Sequence, residues 1–559
     1  MPYSIFHAFG IVFLTLSWLG YDHYRPWTSF HSEALALLGI GLLLASTCLN
    51  RDTRATFAPR LCGWVMVVAA VPWLQYVLGI SLFAGDALLA SLYLCSLAAA
   101  IGLGYGYAVK EAENETSLTP VFYLLWCAAL VSAAIGLLQW LNLQEVLAMY
   151  VVQTDAGDRA MGNLGQPNQL ATLLLMGMVT LAWTYERYRI GAWGLVAGIT
   201  FMTLVLVLTQ SRAGMLSTVV VALFLMWKSR VAGSRIAPKY VLAWLLAYGF
   251  ALSCLPALHD LLLMSGGRSL NPGVDSARIT IWKQMISGIA QAPWLGYGWN
   301  ETPSAHAAGS LAVPGSLTYT HAHNIVLDML AWNGIPLGLL LVTACAGWLV
   351  SRMRGATRSS SVYAMACLLP VGLHSLVEYP FAYAYFLVAA GLMVGIVEAS
   401  HPQGLSIRLN LRWVGGAVAV WFAIGGYIVH EYLLIEEDFR VVRFENLRIG
   451  QTPAHYQVPD VWMLSHLATM LKASRLRPLP DMNAEDVENL RKASLRFPYG
   501  VLGLRYALAL GLNGNPVAAT RQMAMIRGMY GEGYYQAAVI QVREMQREKY
   551  PQLSQVLTP

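Results

Sequence analysis

Two histidines stand two positions apart in Thr318-Tyr319-Thr320-His321-Ala322-His323-Asn324, and an apolar run starts at once with Ile325. Imidazole has an ordinary pKa of about 6.5, so it can take and return a proton near neutrality. At the junction of a polar loop and an apolar helix, that is base chemistry for a hydroxyl at a water–lipid boundary. The residues alone also allow a plainer reading, in which His321 and His323 are interfacial polar side chains. Arg212, in Thr209-Gln-Ser-Arg-Ala-Gly214, lies between two apolar runs. Its planar guanidinium matches phosphate oxygens bidentately, while an arginine near a helix end can also reach the headgroups. Arg278 precedes Trp282 by four residues and shares a helix face with it. It reads either as an anion ligand or as a headgroup-solvated arginine. His374 and Glu378 are also four apart, and a hydrogen bond between them is the simplest expectation. The stretch Arg159-Ala-Met-Gly-Asn-Leu-Gly-Gln-Pro-Asn-Gln169 is rich in amides, including Gln166 and Asn168. Gly162 and Gly165 permit tight turns there, and Pro167 favours a helix start.

With His321 and His323, the His374–Glu378 pair could imitate a metal site, but these residues come from separate segments, and no metal or other cofactor is expected. The seven cysteines lie in or beside apolar runs and show no CxxC or Cys/His spacing. Paired aspartates suited to magnesium are missing from the loops that carry the histidines.

These groups need a membrane scaffold to position them. The 559 residues are 57% hydrophobic and 12% charged, with mean hydropathy +0.52. Soluble chains carry about 25% charged residues, so the composition selects the bilayer, and a net charge of +6 without a basic cluster argues against nucleic acid. Runs long enough for ~30 Å of hydrocarbon are expected near 4–20, 33–49, 62–80, 87–108, 120–140, 168–184, 192–209, 213–228, 240–257, 324–350, 361–374, 381–398 and 412–430. The first is read as a span and not a removable signal. The fold class expected is therefore all-α: a polytopic integral membrane protein with about 12–13 transmembrane helices.

Loop charges orient it. Alternate loops hold Arg51, Arg54 and Arg60, then Lys110, then Arg187 and Arg189, then Lys228, Arg230, Arg235 and Lys239, then Arg352, Arg354 and Arg358, then Arg408 and Arg412. The other short loops hold only Arg25, Arg159 and Arg212. The positive-inside rule makes the basic set cytoplasmic, which puts the histidines outside, in a bacterial inner membrane facing the periplasm. Residues 1–430 then form the membrane domain, with 258–323 as a large periplasmic loop. Within that loop Ile279, Trp282, Ile286 and Ile289 give Ser276–Gln291 the period of an amphipathic surface helix. Residues 431–559 regain charge and read as a periplasmic α-helical domain. The Gly-Asn-Pro turn within 507–519 resembles a tetratricopeptide-type hairpin.

The Arg212 turn, the outer loop with Arg278 and Pro293-Trp-Leu-Gly-Tyr-Gly298, and the His-Asn pair opening the next span resemble the O-antigen ligase/polymerase superfamily. Gly162-Asn-Leu-Gly-Gln-Pro-Asn-Gln-Leu-Ala171, Pro26-Trp-Thr-Ser-Phe30 with Glu33, and His374-Ser-Leu-Val-Glu-Tyr-Pro380 resemble its PglL-type bacterial protein O-oligosaccharyltransferases. The resemblance covers about residues 20–440. It implies transfer of a glycan from undecaprenyl pyrophosphate to Ser or Thr hydroxyls of periplasmic proteins, pilins among them. It also implies His323 as the catalytic residue, Arg212 and Arg278 as pyrophosphate ligands, and Gln166 and Tyr379 as supporting residues, with Asn168 and Glu378 beside them. His321 is left as a substrate-contacting or structural neighbour. Within the superfamily the alternatives are an O-antigen ligase acting on lipid A-core and a polymerase; outside it, a transporter.

Overall fold

The computed structural model describes residues 2–49, 55–111, 116–155, 158–262, 276–401, 406–453 and 455–556. Arg51, Arg54 and residues 263–275 of the expected outer loop lie outside them. Among the described residues the helices are, in order, α1 (Pro2–Leu16), α2 (Phe30–Cys48), α3 (Arg60–Ala69), α4 (Val71–Val77), α5 (Ala84–Glu111), α6 (Thr119–Trp140), α7 (Pro167–Glu186), α8 (Ala192–Leu208), α9 (Arg212–Lys228) and α10 (Pro238–Leu261). There follow α11 (Ser276–Gln291), α12 (Thr302–Ser310), α13 (Ile325–Gly355), α14 (Ser359–Ser375), α15 (Ala384–Ala399), α16 (Leu411–Leu447), α17 (Ser465–Arg475), α18 (Ala484–Arg496), α19 (Gly500–Leu512) and α20 (Pro516–Glu548). Two short strands, β1 (Ala55–Pro59) and β2 (Ser406–Asn410), pair antiparallel, Ala55 opposite Asn410.

The chain is an all-α polytopic membrane protein. Among the described residues, seven helical stretches are long and apolar enough to cross a bilayer: Phe30–Cys48, Arg60–Val77, Ala84–Glu111, Thr119–Trp140, Pro238–Leu261, Ile325–Gly355 and Leu411–Leu447. Each other expected span coincides with a helix that is shorter or, in α7, less apolar. Buried helices need no lipid-facing stripe, and α7 is buried at every position from Gln169 to Thr184.

Two compact units form, each from separated segments. The first comprises Met1–Val67, Tyr93–Pro272 and Ala346–Gly426; the second, Val68–Leu92, Gly273–Cys345 and Tyr427–Pro559. At the centre of the first unit, α7 packs on α6, α8, α9 and α14. Glycine allows the closest of these approaches: a Cβ on Gly177 would lie 2.2 Å from Ala129 Cβ on α6, and one on Gly214 2.8 Å from Ala171 Cβ.

In the second unit α11 packs on α12, and α17 to α20 pack each on the next. A Cβ on Gly309 would meet the Gln284 carbonyl oxygen at 1.8 Å, and one on Gly288 the Ala305 carbonyl oxygen at 2.1 Å, so the α11–α12 contact depends on glycine. The bounds of α11 match the expected amphipathic helix, and the apolar stripe read from the sequence is partly buried within the protein. Ile281, Gln284, Met285 and Ile289 are buried, while Ile279 and Ile286 are exposed. Two apolar stripes run along this helix, and a period alone cannot say which one meets α12.

The expected long helix after the histidines is interrupted. Gly334 has φ +73° inside α13 and Pro336 follows, so the first nine residues form a separate segment. A Cβ on Gly334 would lie 2.4 Å from the carbonyl group of Trp294. The Pro293–Trp299 loop occupies that space. Tyr297 N–H donates to Ala331 O (2.8 Å), Gly298 N–H to Trp332 O (3.1 Å) and Ile335 N–H to Pro293 O (2.7 Å). Glycine at 296 (φ +70°) and 298 (φ +101°) gives the loop its path.

Candidate functional site

In the first unit the amide-rich stretch becomes a turn into α7. Gly162 (φ +60°) and Gly165 (φ +71°) make the turn, and Pro167 starts the helix. One buried side chain, Gln139 of α6, wires it. Gln139 Nε2 donates to Val152 O (2.9 Å) and Gly162 O (3.0 Å), and its Oε1 accepts from Met161 N–H (3.2 Å) and Gly162 N–H (2.7 Å). Asn163 adds three more bonds, donating to Leu19 O (2.9 Å) and Tyr150 O (3.0 Å) and accepting from Val152 N–H (3.1 Å). His23 Nε2 meets Asn163 O at 2.8 Å. The early Pro-Trp-Thr-Ser-Phe motif closes on Glu33, whose Oε1 accepts from Trp27 Nε1 (3.3 Å) and from Ser29.

The next turn of α7 meets two expected site segments. Gln166 Nε2 donates to Tyr379 Oη (3.4 Å) and Asn168 Nδ2 to Glu378 Oε1 (3.4 Å). Gln169 Nε2 donates to Gln166 Oε1 (3.2 Å), and Tyr385 Oη donates to Gln169 Oε1 (3.1 Å). Rings of Tyr379, Tyr383 and Tyr385 stand in succession, at 5.9 and 5.4 Å between centroids. Desolvation pushes the Tyr379 phenol up, against the hydrogen bond from Gln166; it stays a neutral donor and acceptor.

The expected His374–Glu378 bond takes a main-chain form, Glu378 N–H to His374 O at 2.8 Å. Helix α14 ends at Ser375, so the four-residue spacing no longer places both side chains on one helical face. Each reaches α7: His374 Nδ1 meets Thr172 Oγ1 at 3.0 Å, and Glu378 takes the Asn168 amide.

Arg212 opens α9. Its N-cap, Ser211, accepts from Gly214 N–H (2.9 Å) and donates to Asn168 Oδ1 (2.8 Å). Gln210 turns the chain with φ +46°, and Arg159 Nε donates to Thr209 O (2.7 Å). A partly buried guanidinium on the first residue of a helix adds its charge to the positive end of the helix dipole. Ser211, Asn168 and Glu378 are thus linked side chain to side chain, as are Gln166 and Tyr379 beside them, and Arg212 follows Ser211 in the chain.

The second unit holds His321, His323 and Arg278. His323 has φ +51°, the left-handed region that a residue with a Cβ seldom enters. Its ring stands edge-to-face with Tyr319 (5.4 Å), which has the same relation to His306 (5.9 Å). Ala322 is fully buried; its N–H donates to Asp328 Oδ1 (2.9 Å) and its carbonyl accepts from Trp282 Nε1 (3.1 Å). Arg278 lies one turn before Trp282 on α11 and is partly buried. The two histidines differ. His321 Nδ1 lies 3.8 Å from Asp328 Oδ2, and its ring packs edge-on against Trp332 (6.2 Å). Burial, with the positive charge of Arg496 adding, pushes the His321 imidazole down to about 3.

Sequence reading missed Gln139, Asp328 and Thr302. A signal existed for the first two: each is a lone polar or acidic residue inside an apolar run, where such residues are costly to bury without a partner.

Along this scaffold lie three family matches. Residues 160–185 match a protein glycosylation ligase family, 197–342 an O-Antigen ligase family, and 362–544 the family described as virulence factor membrane-bound polymerase, C-terminal. The first includes Gln166 and Asn168, the second Arg212, Arg278, His321 and His323, and the third Glu378 and Tyr379. A general O-oligosaccharyltransferase of Acinetobacter baylyi (strain ATCC 33305 / BD413 / ADP1) is 28% identical over 548 residues, covering 94% of this chain and 92% of that protein. A ComP-specific O-oligosaccharyltransferase of the same strain is 24% identical over 435 residues, covering 74% and 77%. The chain thus carries O-antigen ligase and protein glycosylation ligase segments and is similar, over nearly its whole length, to a bacterial O-oligosaccharyltransferase.

Proposed function

We propose that this protein transfers an oligosaccharide from undecaprenyl pyrophosphate to Ser or Thr hydroxyls of periplasmic proteins such as pilins. It works in the bacterial inner membrane with its active groups facing the periplasm, as the loop charges favour. In this reading 1–430 is the membrane transferase, 258–323 its outer loop and 431–559 an outer helical domain.

A serine hydroxyl attacks poorly until its proton has somewhere to go. His323 takes that proton as the oxygen bonds to the anomeric carbon, and the bond from that carbon to the pyrophosphate oxygen breaks. Undecaprenyl pyrophosphate departs as an anion that needs no added proton, and in this reading arginines stabilise its charge in place of a metal. Arg212 and Arg278 hold the pyrophosphate and stabilise the charge growing on it. Gln166, Asn168, Tyr379 and Glu378 supply polar contacts around the donor.

The observation that carries the assignment of the base is the contrast between the two imidazoles. His321 is held neutral beside a buried carboxyl and is a weak proton acceptor at neutral pH. His323, in a strained conformation on a buried tether, is left for the base; His321 serves as its structural neighbour.

The O-antigen ligase and polymerase matches favour the same donor with another acceptor as the second reading. Reconstitution with a lipid-linked glycan and three acceptors separates them: a pilin-type protein, lipid A-core, and lipid-linked glycan itself. Transfer to the protein is expected, and transfer to lipid A-core alone would sink the proposal. His323→Ala should reduce transfer by at least about 100-fold, the low end of general-base contributions, with donor binding kept.

A further inference from the structure

We propose that Asp328 and Trp282 are positioning residues for His323, acting on its main chain. The inference rests on the reading of His323 as the base. Ala322, the residue before it, is tied at both peptide groups, by Asp328 of α13 at 2.9 Å and by Trp282 of α11 at 3.1 Å. The tether is itself anchored. Asp328 Oδ1 also accepts from the Thr302 hydroxyl (2.7 Å), and Thr302 Oγ1 accepts from Trp332 Nε1 (2.8 Å). The Trp332 carbonyl accepts from Gln75 Nε2 (2.8 Å). Asp328, Thr302 and Ala322 are all fully buried, so water offers these groups no substitute partner.

His323 leaves this tether at φ +51°. A residue with a Cβ in that region costs about 1–3 kcal/mol and persists only where its surroundings over-determine it. The tether supplies that excess of constraint. Were Ala322 released, His323 could relax to negative φ, and its Cα–Cβ bond would point elsewhere. Fixing the backbone is therefore a way of aiming the ring, independent of any partner the ring itself has.

The test uses the full chain in proteoliposomes with a lipid-linked glycan and a pilin-type acceptor. Asp328→Leu keeps the branching at Cγ and removes the acceptor, while Asp328→Asn keeps Oδ1 for Ala322 and Thr302. Because misplacing a reacting group by ~1 Å can cost about 100-fold, kcat should fall about 100-fold in Asp328→Leu, about tenfold in Trp282→Phe and about threefold at most in Asp328→Asn. Donor KM should stay within about twofold throughout, since the base contributes little to ground-state binding. In a His323→Ala background, Asp328→Leu should lower the residual rate no further.

A normal kcat in Asp328→Leu would overturn the inference. So would equal losses in the Asn and Leu variants, which would make the charge the active property, or an additive loss on top of His323→Ala. Should Asp328→Leu fail to fold, Trp282→Phe carries the test, and its unchanged kcat would be equally fatal. The two layers separate cleanly. An active His323→Ala removes the base and the tether's purpose together, whereas an inactive His323→Ala with a fully active Asp328→Leu removes the tether alone.

Discussion

The amide turn of the first unit and the histidine loop of the second both hold polar backbone still beside apolar helices, but they are wired differently. In the amide turn, Gln139 and Asn163 together make seven hydrogen bonds to main-chain groups, and glycine takes the positive-φ positions. In the histidine loop an acid and an indole hold one alanine, and the positive φ falls on His323. Glycine enters the left-handed region without strain because it has no Cβ. A histidine there carries strain, which makes sense where the direction of its side chain matters more than the turn. The first loop is built as a platform and the second as an aiming device.

Stability and turnover should therefore respond separately in the two loops. The largest effect on stability is expected from Gln139→Leu, which strands two N–H groups and two carbonyls. At about 1–3 kcal/mol for each buried group left unpaired, unfolding in detergent should shift by several kcal/mol. If it shifts no more than for a surface substitution, the wiring ascribed to Gln139 is wrong. Arg212→Lys should keep the fold and lose about tenfold in transfer, the worth of about 1.4 kcal/mol, because the bidentate fork is gone. An unaltered rate would assign Arg212 to the headgroups instead.

The smallest effect is a pH slope. His306 is fully buried, its Nε2 meets Gln284 Oε1 at 2.9 Å, and burial pushes its pKa down to about 4. Its folded pKa lies below the ordinary 6.5, so as pH falls the unfolded chain binds the proton first. The stability it permits is complete above pH 6.5 and is lost progressively towards pH 4. His306→Gln should flatten the fall in melting temperature between pH 7 and 5. An unchanged slope would place the acid sensitivity elsewhere.

Much of this was legible in the sequence. Helical spans, the bounds of α11 and the Gly-Asn-Pro turn, where the structure has Asn515 accepting from Ala518 N–H (3.3 Å), follow from local pattern. The links of Gln166 to Tyr379 and of Asn168 to Glu378 span more than 200 residues, and the resemblance named the segments without their pairings. The break at Gly334 was written in Asn333-Gly-Ile-Pro336, a turn signal masked by the apolar residues around it. What local pattern could not supply was partnership. Whether Ile286 or Met285 of α11 is buried depends on α12, and the role of Asp328 depends on Thr302 and Ala322. The strands were missed for the same reason, since neither five-residue segment makes sense without the other.

That ribbon has a consequence for how the protein is made. Ala55 must wait for Asn410, so most of the chain has to leave the ribosome before the first rung can form. At about 5–20 residues per second, the wait lasts tens of seconds, until the helices between them have all been synthesised. A chain cut off before residue 406 would lack β2 altogether. The ribbon's closure therefore serves as a time stamp, distinguishing a membrane region that has been completed from one that is still arriving.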